Sequence, residues 1–157
     1  MRREHFELEA DNIDWVETGD QPAEPRVVID FQGPKEALTD RLTDAEGELL
    51  EDAETDVTFR LQDPLDDPDA TGVVSVTDRI TGDFLLELNE DADDVLRFVR
   101  AARKYGQSTD DDGGRYSVTI QIDGEPVTTY SKSTFLVYDA NGSLLRSKSL
   151  IPSGVEL

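Results

Sequence analysis

The side chains that could carry out catalysis are few in this sequence of 157 residues. It has one histidine, His5, and no cysteine, so a Ser-His-Asp site would have to use a residue that precedes the first strand-like segment. We therefore interpret His5 as a solvent-facing residue. The 36 acidic residues guarantee many close carboxylate pairs by chance, which removes the diagnostic value of any one pair. The sequence favours a non-enzymatic protein with no cofactor, and a carboxylate-based hydrolase stays open as an alternative.

Clusters of aspartate could supply oxygen ligands to a metal ion. Ca²⁺ takes roughly six or more oxygen ligands, and two acidic segments offer them. The candidate metal ligands are Asp63, Asp66, Asp67, Asp69, Asp110, Asp111 and Asp112. Neither segment has the glycine and glutamate spacing of an EF-hand, and the glycines after Asp112 lack the lysine of a phosphate-binding loop. Simple binding of water and K⁺ is the alternative interpretation of both segments.

The excess of acid is the strongest feature of the composition. The sequence has 22 Asp and 14 Glu against 11 Arg and 4 Lys, a net charge of −21. Self-repulsion at this charge strains a compact fold in dilute buffer, whereas molar salt shortens the Debye length to about 3 Å and screens it. These features indicate a protein from an extreme halophile with a salt-rich cytoplasm. An acidic chaperone-like or nucleic-acid-mimicking protein is the alternative.

The sequence also bears on the compartment. No stretch approaches the roughly 20 apolar residues of a membrane span, and the first residues lack the apolar run of a signal peptide. The absence of cysteine excludes disulfides. We expect a cytoplasmic protein that does not contact a membrane.

The 15 basic residues are scarce enough for their positions to be informative. Four of them, Arg97, Arg100, Arg103 and Lys104, lie close together on a predicted helix. Cations in the last turns of a helix complement its dipole and can pair with nearby acids. The alternative is a docking surface for an anionic partner. Nucleic acid is not expected as that partner, because the net negative charge repels phosphates.

Residues 113–157 have a balanced charge. They hold four acids and four bases, so residues 1–112 carry the full −21. On an acidic protein such a tract consists either of central strands or of a surface that a partner covers. We predict an interaction with an unknown protein partner or a second copy, and the alternative is a module that binds a divalent cation or a small ligand. The candidate partner-binding residues are Lys132, Ser133, Phe135, Tyr138, Arg146 and Lys148, followed by Arg97, Arg100 and Lys104 on the helix.

Hydrophobic periodicity predicts the elements that position these side chains. Apolar and polar residues alternate as in half-buried antiparallel strands. The alternating segments are 6–10, 27–31, 57–61, 74–77, 84–88 and 116–123. Val95, Phe98, Val99 and Ala102 instead recur at helical spacing, which predicts a helix over about residues 92–104 that Gly106 ends.

Together these elements predict a mainly β protein. About eight to ten short strands indicate an antiparallel β-sandwich with one inserted α-helix near residues 92–104. A half-open barrel plugged by the helix is the alternative. The length is typical of one domain, so we predict a single domain over residues 1–157.

Turn signals join the predicted strands at Thr81-Gly82, Asp123-Gly124 and Asn141-Gly142. Residues 44–50 and 139–145 have similar sequences, which predicts the same turn in both. This similarity favours a hairpin over residues 36–50, although residues 35–42 also fit a short helix.

Three parts of the sequence carry a resemblance to a known group of proteins. They are MRREHF at residues 1–6, GVVSVTDR with TGDF at 72–84, and STFLVYD with SLIPSGVEL between 133 and 157. With these stretches the chain resembles an uncharacterised family of small acidic haloarchaeal proteins over essentially its whole length. The resemblance implies the source and the compartment, and it implies no activity.

The net charge predicts that folding depends on salt. We expect the midpoint of thermal unfolding to rise between about 0.1 M and about 3 M KCl, because the added ions screen the repulsion among the carboxylates. Circular dichroism at neutral pH measures this midpoint. An unchanged midpoint over that range would contradict the interpretation of the acidic surface.

Overall fold

The computed structural model of this chain describes residues 3–108 and 115–151, and its main elements are eight strands and one long helix. The elements are β1 (Phe6–Asp11), α1 (Trp15–Thr18), β2 (Arg26–Phe31), α2 (Lys35–Arg41), β3 (Thr55–Leu61), β4 (Thr71–Asp78), β5 (Phe84–Asp91), α3 (Ala92–Ser108), β6 (Tyr116–Ile122), β7 (Glu125–Lys132) and β8 (Leu136–Tyr138). Short 3₁₀ turns lie at Arg3–His5, Asp52–Glu54 and Arg146–Lys148.

The strands form two four-stranded sheets. The first has the order β1-β2-β6-β7 and the second the order β5-β4-β3-β8. This confirms the predicted mainly β architecture with one long helix, and neither sheet closes into a barrel in the described ranges. Both sheets are mixed rather than purely antiparallel, because β2 runs parallel to β6 and β3 runs parallel to β8. Each parallel pair is joined by a long crossover through other elements. The sequence did not predict these pairs, because the alternation of apolar and polar residues within one strand does not indicate the direction of the neighbouring strand.

One hydrophobic core includes the buried side chains of both sheets and of α3. At its centre, Ile29, Phe59, Val76 and Ile120 are completely buried. Burial of each large side chain of this kind stabilises the fold by about 1.5–3 kcal/mol. Packing of the sheets through these residues is therefore what holds the chain in this arrangement.

Helix α3 begins where predicted and ends later. It follows β5 directly, and the backbone N–H of Ala92 donates to the carbonyl of Ala70 at 2.9 Å. Gly106 does not end the helix, because it lies buried within the last turns and the helix continues to Ser108. Glycine inside a helix costs about 1 kcal/mol relative to alanine, and burial of the apolar face of α3 outweighs that cost.

The two similar segments do form the same turn. The Oδ1 atom of Asp44 accepts from the backbone N–H groups of residues 46 and 48, and Oδ1 of Asp139 accepts from those of residues 141 and 143. Isolated bridges close the two turns at Thr43–Leu49 and Tyr138–Leu144. Aspartate side chains stabilise such turns by accepting from the backbone a few residues later.

The predicted hairpin over residues 36–50 is wrong in its first half. Residues 35–41 form α2, which Pro34 precedes in an extended conformation. Leu38 is completely buried and attaches this short helix to the core. The similarity between the two turn segments begins only at Asp44, so it carried no information about the residues before it.

Candidate functional site

Two of the residues predicted to bind a partner lie in the interior. The side chain of Lys132 is buried, and its Nζ donates to the carbonyls of Asp52 at 2.7 Å and Thr55 at 2.5 Å. Burial lowers the pKa of Lys132, and the positive charge of Arg79 adds to this effect. Phe135 is also buried. Both residues therefore support the fold and are not exposed to a partner in this structure.

The other predicted partner-binding residues of the C-terminal third remain accessible. Ser133 and Arg146 are exposed, and Tyr138 and Lys148 are half-buried. The explanation of the balanced charge by central strands applies to only part of this third. Strand β6 is a central strand of its sheet, which agrees with that explanation. Strands β7 and β8 are edge strands.

The three helix cations that were predicted to bind a partner comprise one ion-paired residue and two exposed residues. Nη2 of Arg97 donates to Oδ1 of Asp14 at 2.7 Å, and its Nε donates to Oε1 of Glu17 at 2.9 Å. Arg97 therefore links α3 to the segment around α1. Arg100 and Lys104 are exposed.

The predicted metal ligands are not brought together where the structure describes them. Oδ2 of Asp63 accepts from both the backbone N–H and the hydroxyl of Thr71, and Oδ1 of Asp67 accepts from the backbone N–H of Asp69. Asp66 and Asp69 are exposed. Asp110, Asp111 and Asp112 lie outside the described residues. Sets of three carboxylates within 4.8 Å do occur in the described ranges, but at other places: Asp44, Glu46 and Glu48, and Glu90, Asp91 and Asp94.

A cavity lies between the two sheets. Its volume is about 190 Å³. Strands of both sheets, the segment after β1 and α3 all contribute to its wall. The apolar residues of the wall are Leu8, Ala10, Ile13, Val27, Ile29, Val57, Val74, Val95, Phe98, Val118 and Phe135.

The residue types in this wall explain why the space is not filled. Most of the strand residues are alanine or valine, such as Ala10, Val57 and Val74, whose side chains are shorter than those of leucine or phenylalanine. The aromatic rings are confined to the part of the wall formed by Phe98 and Phe135. Behind them the ring of Tyr116 packs edge-on against Phe98, with 5.4 Å between centroids.

Three polar side chains also line the cavity: Glu90, Asp94 and Arg97. Glu90 follows the inward-facing residues Leu86 and Leu88 at the spacing of two that places them on one face of β5. A carboxylate therefore occupies a position where the strand pattern calls for an apolar side chain. Asp94 comes from the first turn of α3, immediately after the end of β5.

Burial raises the pKa of Glu90 above its ordinary value of 4.5. The negative charges of Asp94 and Asp91 raise it further, and the backbone N–H of Asp91, which donates to Oε1 of Glu90 at 3.3 Å, opposes the shift. Desolvation of a carboxylate disfavours its charged form. Glu90 thus carries a partly desolvated negative charge at the edge of an apolar space.

The segment between β1 and α1 covers part of this region. Ile13 is buried and contributes to the cavity wall, and the ion pairs of Arg97 hold the adjoining residues against α3. Asn12 has a positive φ of 62°, and its Nδ2 donates to the carbonyl of Glu24 at 3.1 Å. The indole N–H of Trp15 donates to the carbonyl of Asn12. The cover is therefore an ordered part of the fold.

The sequence-based search missed this site. Most apolar wall residues were predicted only as positions of strands or of the helix, whereas Phe135 and Arg97 were predicted to bind a partner. The available signal was the break in alternation at Glu90. His5 could not contribute to the site, because it is exposed and its ring lies 6.4 Å from the ring of Phe31.

The fold and the site define a β-sandwich domain with an interior cavity whose polar lining is concentrated where β5 meets α3. The chain belongs to a family of unknown function (DUF5793), whose model matches residues 1–157. Neither a curated protein nor a solved structure matches the sequence significantly. None of the helices in the described ranges is long and apolar enough to cross a membrane.

The shifted pKa of Glu90 predicts the pH dependence of stability. Because the folded-state pKa is raised, this group favours folding below the unfolded pKa of about 4.5, and that contribution is lost as the pH rises through the folded pKa. A glutamine side chain does not titrate, so the Glu90→Gln variant does not lose stability in this way as the pH rises. We expect the unfolding midpoint of the variant to exceed that of the wild type more at pH 7 than at pH 4, both measured in molar KCl.

Glu36→Gln is the matched control, because Glu36 is exposed on α2 and its replacement removes the same formal charge. Equal pH dependence of the two variants would show that the effect belongs to net charge and not to the position of Glu90.

Proposed function

We propose that this protein is a non-enzymatic domain that binds a small, largely apolar molecule in the cavity between its sheets. The cavity of about 190 Å³, with apolar walls and three polar side chains, carries this proposal. An engineered apolar cavity of about 150 Å³ is large enough to hold benzene. Ligand sites usually combine apolar walls with a few polar groups that orient the ligand.

The size of the cavity restricts the ligand. Pockets for drug-sized molecules are usually about 300–1,000 Å³, so this cavity suits one ring or a short branched chain. A larger molecule would have to extend out past Glu90 and Asp94. The proposed ligand is therefore of the size of a substituted benzene.

The arrangement of acids does not favour the hydrolase alternative. Glu90 and Asp94 lie beside each other at the junction of β5 and α3, with carboxylate oxygens within 4.8 Å. Glycoside hydrolysis by two carboxylates requires them to flank the bond that is broken. Adjacent carboxylates on one side of the cavity suit binding better than that chemistry.

The proposal includes the cellular setting. We infer a cytoplasmic protein of a haloarchaeon, on the basis of the net charge of −21 and the predominance of Asp over Glu and of Arg over Lys. Binding is therefore to be measured in molar KCl. At that ionic strength the charged surface is screened, and the cavity itself determines which molecules are held.

Toluene is a suitable probe of the cavity. We expect saturable chemical-shift changes in a ¹H–¹⁵N spectrum of the protein in molar KCl, concentrated at wall residues such as Val57 and Val118. Ala10→Leu should weaken binding about tenfold or more, because the larger side chain occupies space in the cavity. Ala37→Leu is the control, since it makes the same change at an exposed position of α2. Absence of saturable binding to the wild type would refute the proposed function.

A specific feature of the surface supports protein interaction as a second candidate function. The outer face of the second sheet carries a groove of about 550 Å³ that both Phe84 and Tyr138 border. The side chain of Phe84 is 55% exposed, and Tyr138 was predicted from sequence to contact a partner. Arg60 also borders the groove, and its Nη2 donates to the carbonyl of Ala140 at 3.4 Å.

Substitution of both aromatic residues tests this surface. Tagged wild-type protein is expected to recover a specific partner, or a second copy of the chain, from lysate kept at molar KCl. The double variant Phe84→Asp and Tyr138→Asp should lose that partner, because each substitution places a charge in an apolar contact. Leu65→Asp, at an exposed residue that does not border this groove, is the control. Unchanged recovery by the double variant would exclude the groove as the interface.

A further inference from the structure

We propose that the ligand of the cavity carries a cationic amine, which the carboxylates of Glu90 and Asp94 bind while its apolar body occupies the space between the sheets. This inference rests on the proposed function and specifies the class of ligand. It depends on the cavity lining, in which the polar side chains of the described residues are Glu90, Asp94 and Arg97.

Within the part of the chain that the structure describes, Arg97 is the one basic side chain that lines the cavity, and it already forms ion pairs. Its Nε donates to Oε1 of Glu17 at 2.9 Å, and its Nη2 donates to Oδ1 of Asp14 at 2.7 Å and to Oε2 of Glu17 at 3.2 Å. Two carboxylates therefore neutralise this guanidinium. An anionic head group would have to compete with both of them and would also meet Glu90 and Asp94.

The carboxylates beside the cavity have less compensation. Oε1 of Glu90 accepts from the backbone N–H of Asp91 at 3.3 Å, and the nearby carboxylates of Asp91 and Asp94 add negative charge. The charged groups near this part of the cavity are one guanidinium and five carboxylates, those of Asp14, Glu17, Glu90, Asp91 and Asp94. A cation is the head group that this balance attracts.

An organic cation suits the site better than a metal ion alone. The polar groups lie at one place in the lining, and the rest of the wall is hydrocarbon, which offers no ligands to an inorganic ion. A primary amine attached to a ring or short chain satisfies both parts at once. Its ammonium group can donate to Glu90 and Asp94, and its apolar body removes water from the wall.

Position in the fold also favours this assignment. Glu90 projects from the face of β5 that carries Leu86 and Leu88, so its carboxylate stands at the boundary between the core and the surface. Burial and the neighbouring acids raise its pKa. A bound ammonium group would relieve that unfavourable negative charge, because an opposite charge nearby favours the ionised form of a carboxylate.

Three probes with the same ring test the proposal: benzylamine, benzyl alcohol and benzoate. Isothermal titration or NMR titration in molar KCl at pH 7 measures their affinities for the full chain. We expect benzylamine to bind about tenfold or more tightly than benzyl alcohol, which matches the effect of one charge-assisted hydrogen bond. Benzoate should bind most weakly.

Variants locate the source of this preference. In Glu90→Gln, benzylamine should bind no more tightly than benzyl alcohol, whereas Glu36→Gln should keep the preference of the wild type. Asp94→Asn should reduce the preference and provides a second test if Glu90→Gln does not fold, as judged by circular dichroism.

The possible outcomes separate the two proposals. Equal binding of benzylamine and benzyl alcohol, or tightest binding of benzoate, would overturn the amine inference and leave the cavity as a binding site. Preference for the amine that persists in a folded Glu90→Gln and in a folded Asp94→Asn would also overturn it. Failure of all three probes and of toluene to bind would overturn the proposed function itself.

Discussion

Every strand in the interior of this domain has to bury one of its faces, and the two buried faces have to fit each other across the gap between the sheets. In the core Ile29, Phe59 and Ile120 are completely buried. Toward β1 and the end of β5 the inward residues become shorter, as at Ala10 and Val74. Helix α3 covers that end of the gap and does not fill it, because Phe98 and Val95 pack along its wall. The cavity thus lies where the inward side chains of the two sheets are short.

The excess of negative charge on the surface is a second constraint on the fold. Several of the few arginines form ion pairs with carboxylates of the same chain. Arg97 pairs with Asp14 and Glu17, Arg79 with Asp56 at 2.6 Å, and Arg115 with Glu24 at 2.9 Å. Exposed ion pairs of this kind contribute about 0–1 kcal/mol each, so their main effect is to join elements that are distant in sequence. The pair of Arg115 holds the loop before β2 against the start of β6. Of these three arginines, Arg97 was predicted from the sequence as a possible docking residue, and in the structure it joins two parts of the fold.

Prediction from sequence succeeded where a signal is local and periodic. The alternation in β2 and in β6, the apolar stripe of α3 and the repeated aspartate turn each depend on a few neighbouring residues, and each appears in the structure. Prediction failed where a distant contact decides the result. The parallel pairing of β2 with β6 depends on the path of the intervening chain. The helical state of residues 35–41 depends on burial of Leu38, and the extension of α3 past Gly106 depends on its packing.

The candidate site divides in the same way. By itself the sequence determined that the protein is mainly β, strongly acidic and free of cysteine, because composition and period are properties of the chain alone. It also contained the break in alternation at Glu90. Only the tertiary structure decided that Lys132 and Phe135 are interior, that Arg97 is already paired, and that Glu90 and Asp94 line one cavity. These facts depend on which strands face each other across the core, and no local pattern of residues specifies that arrangement.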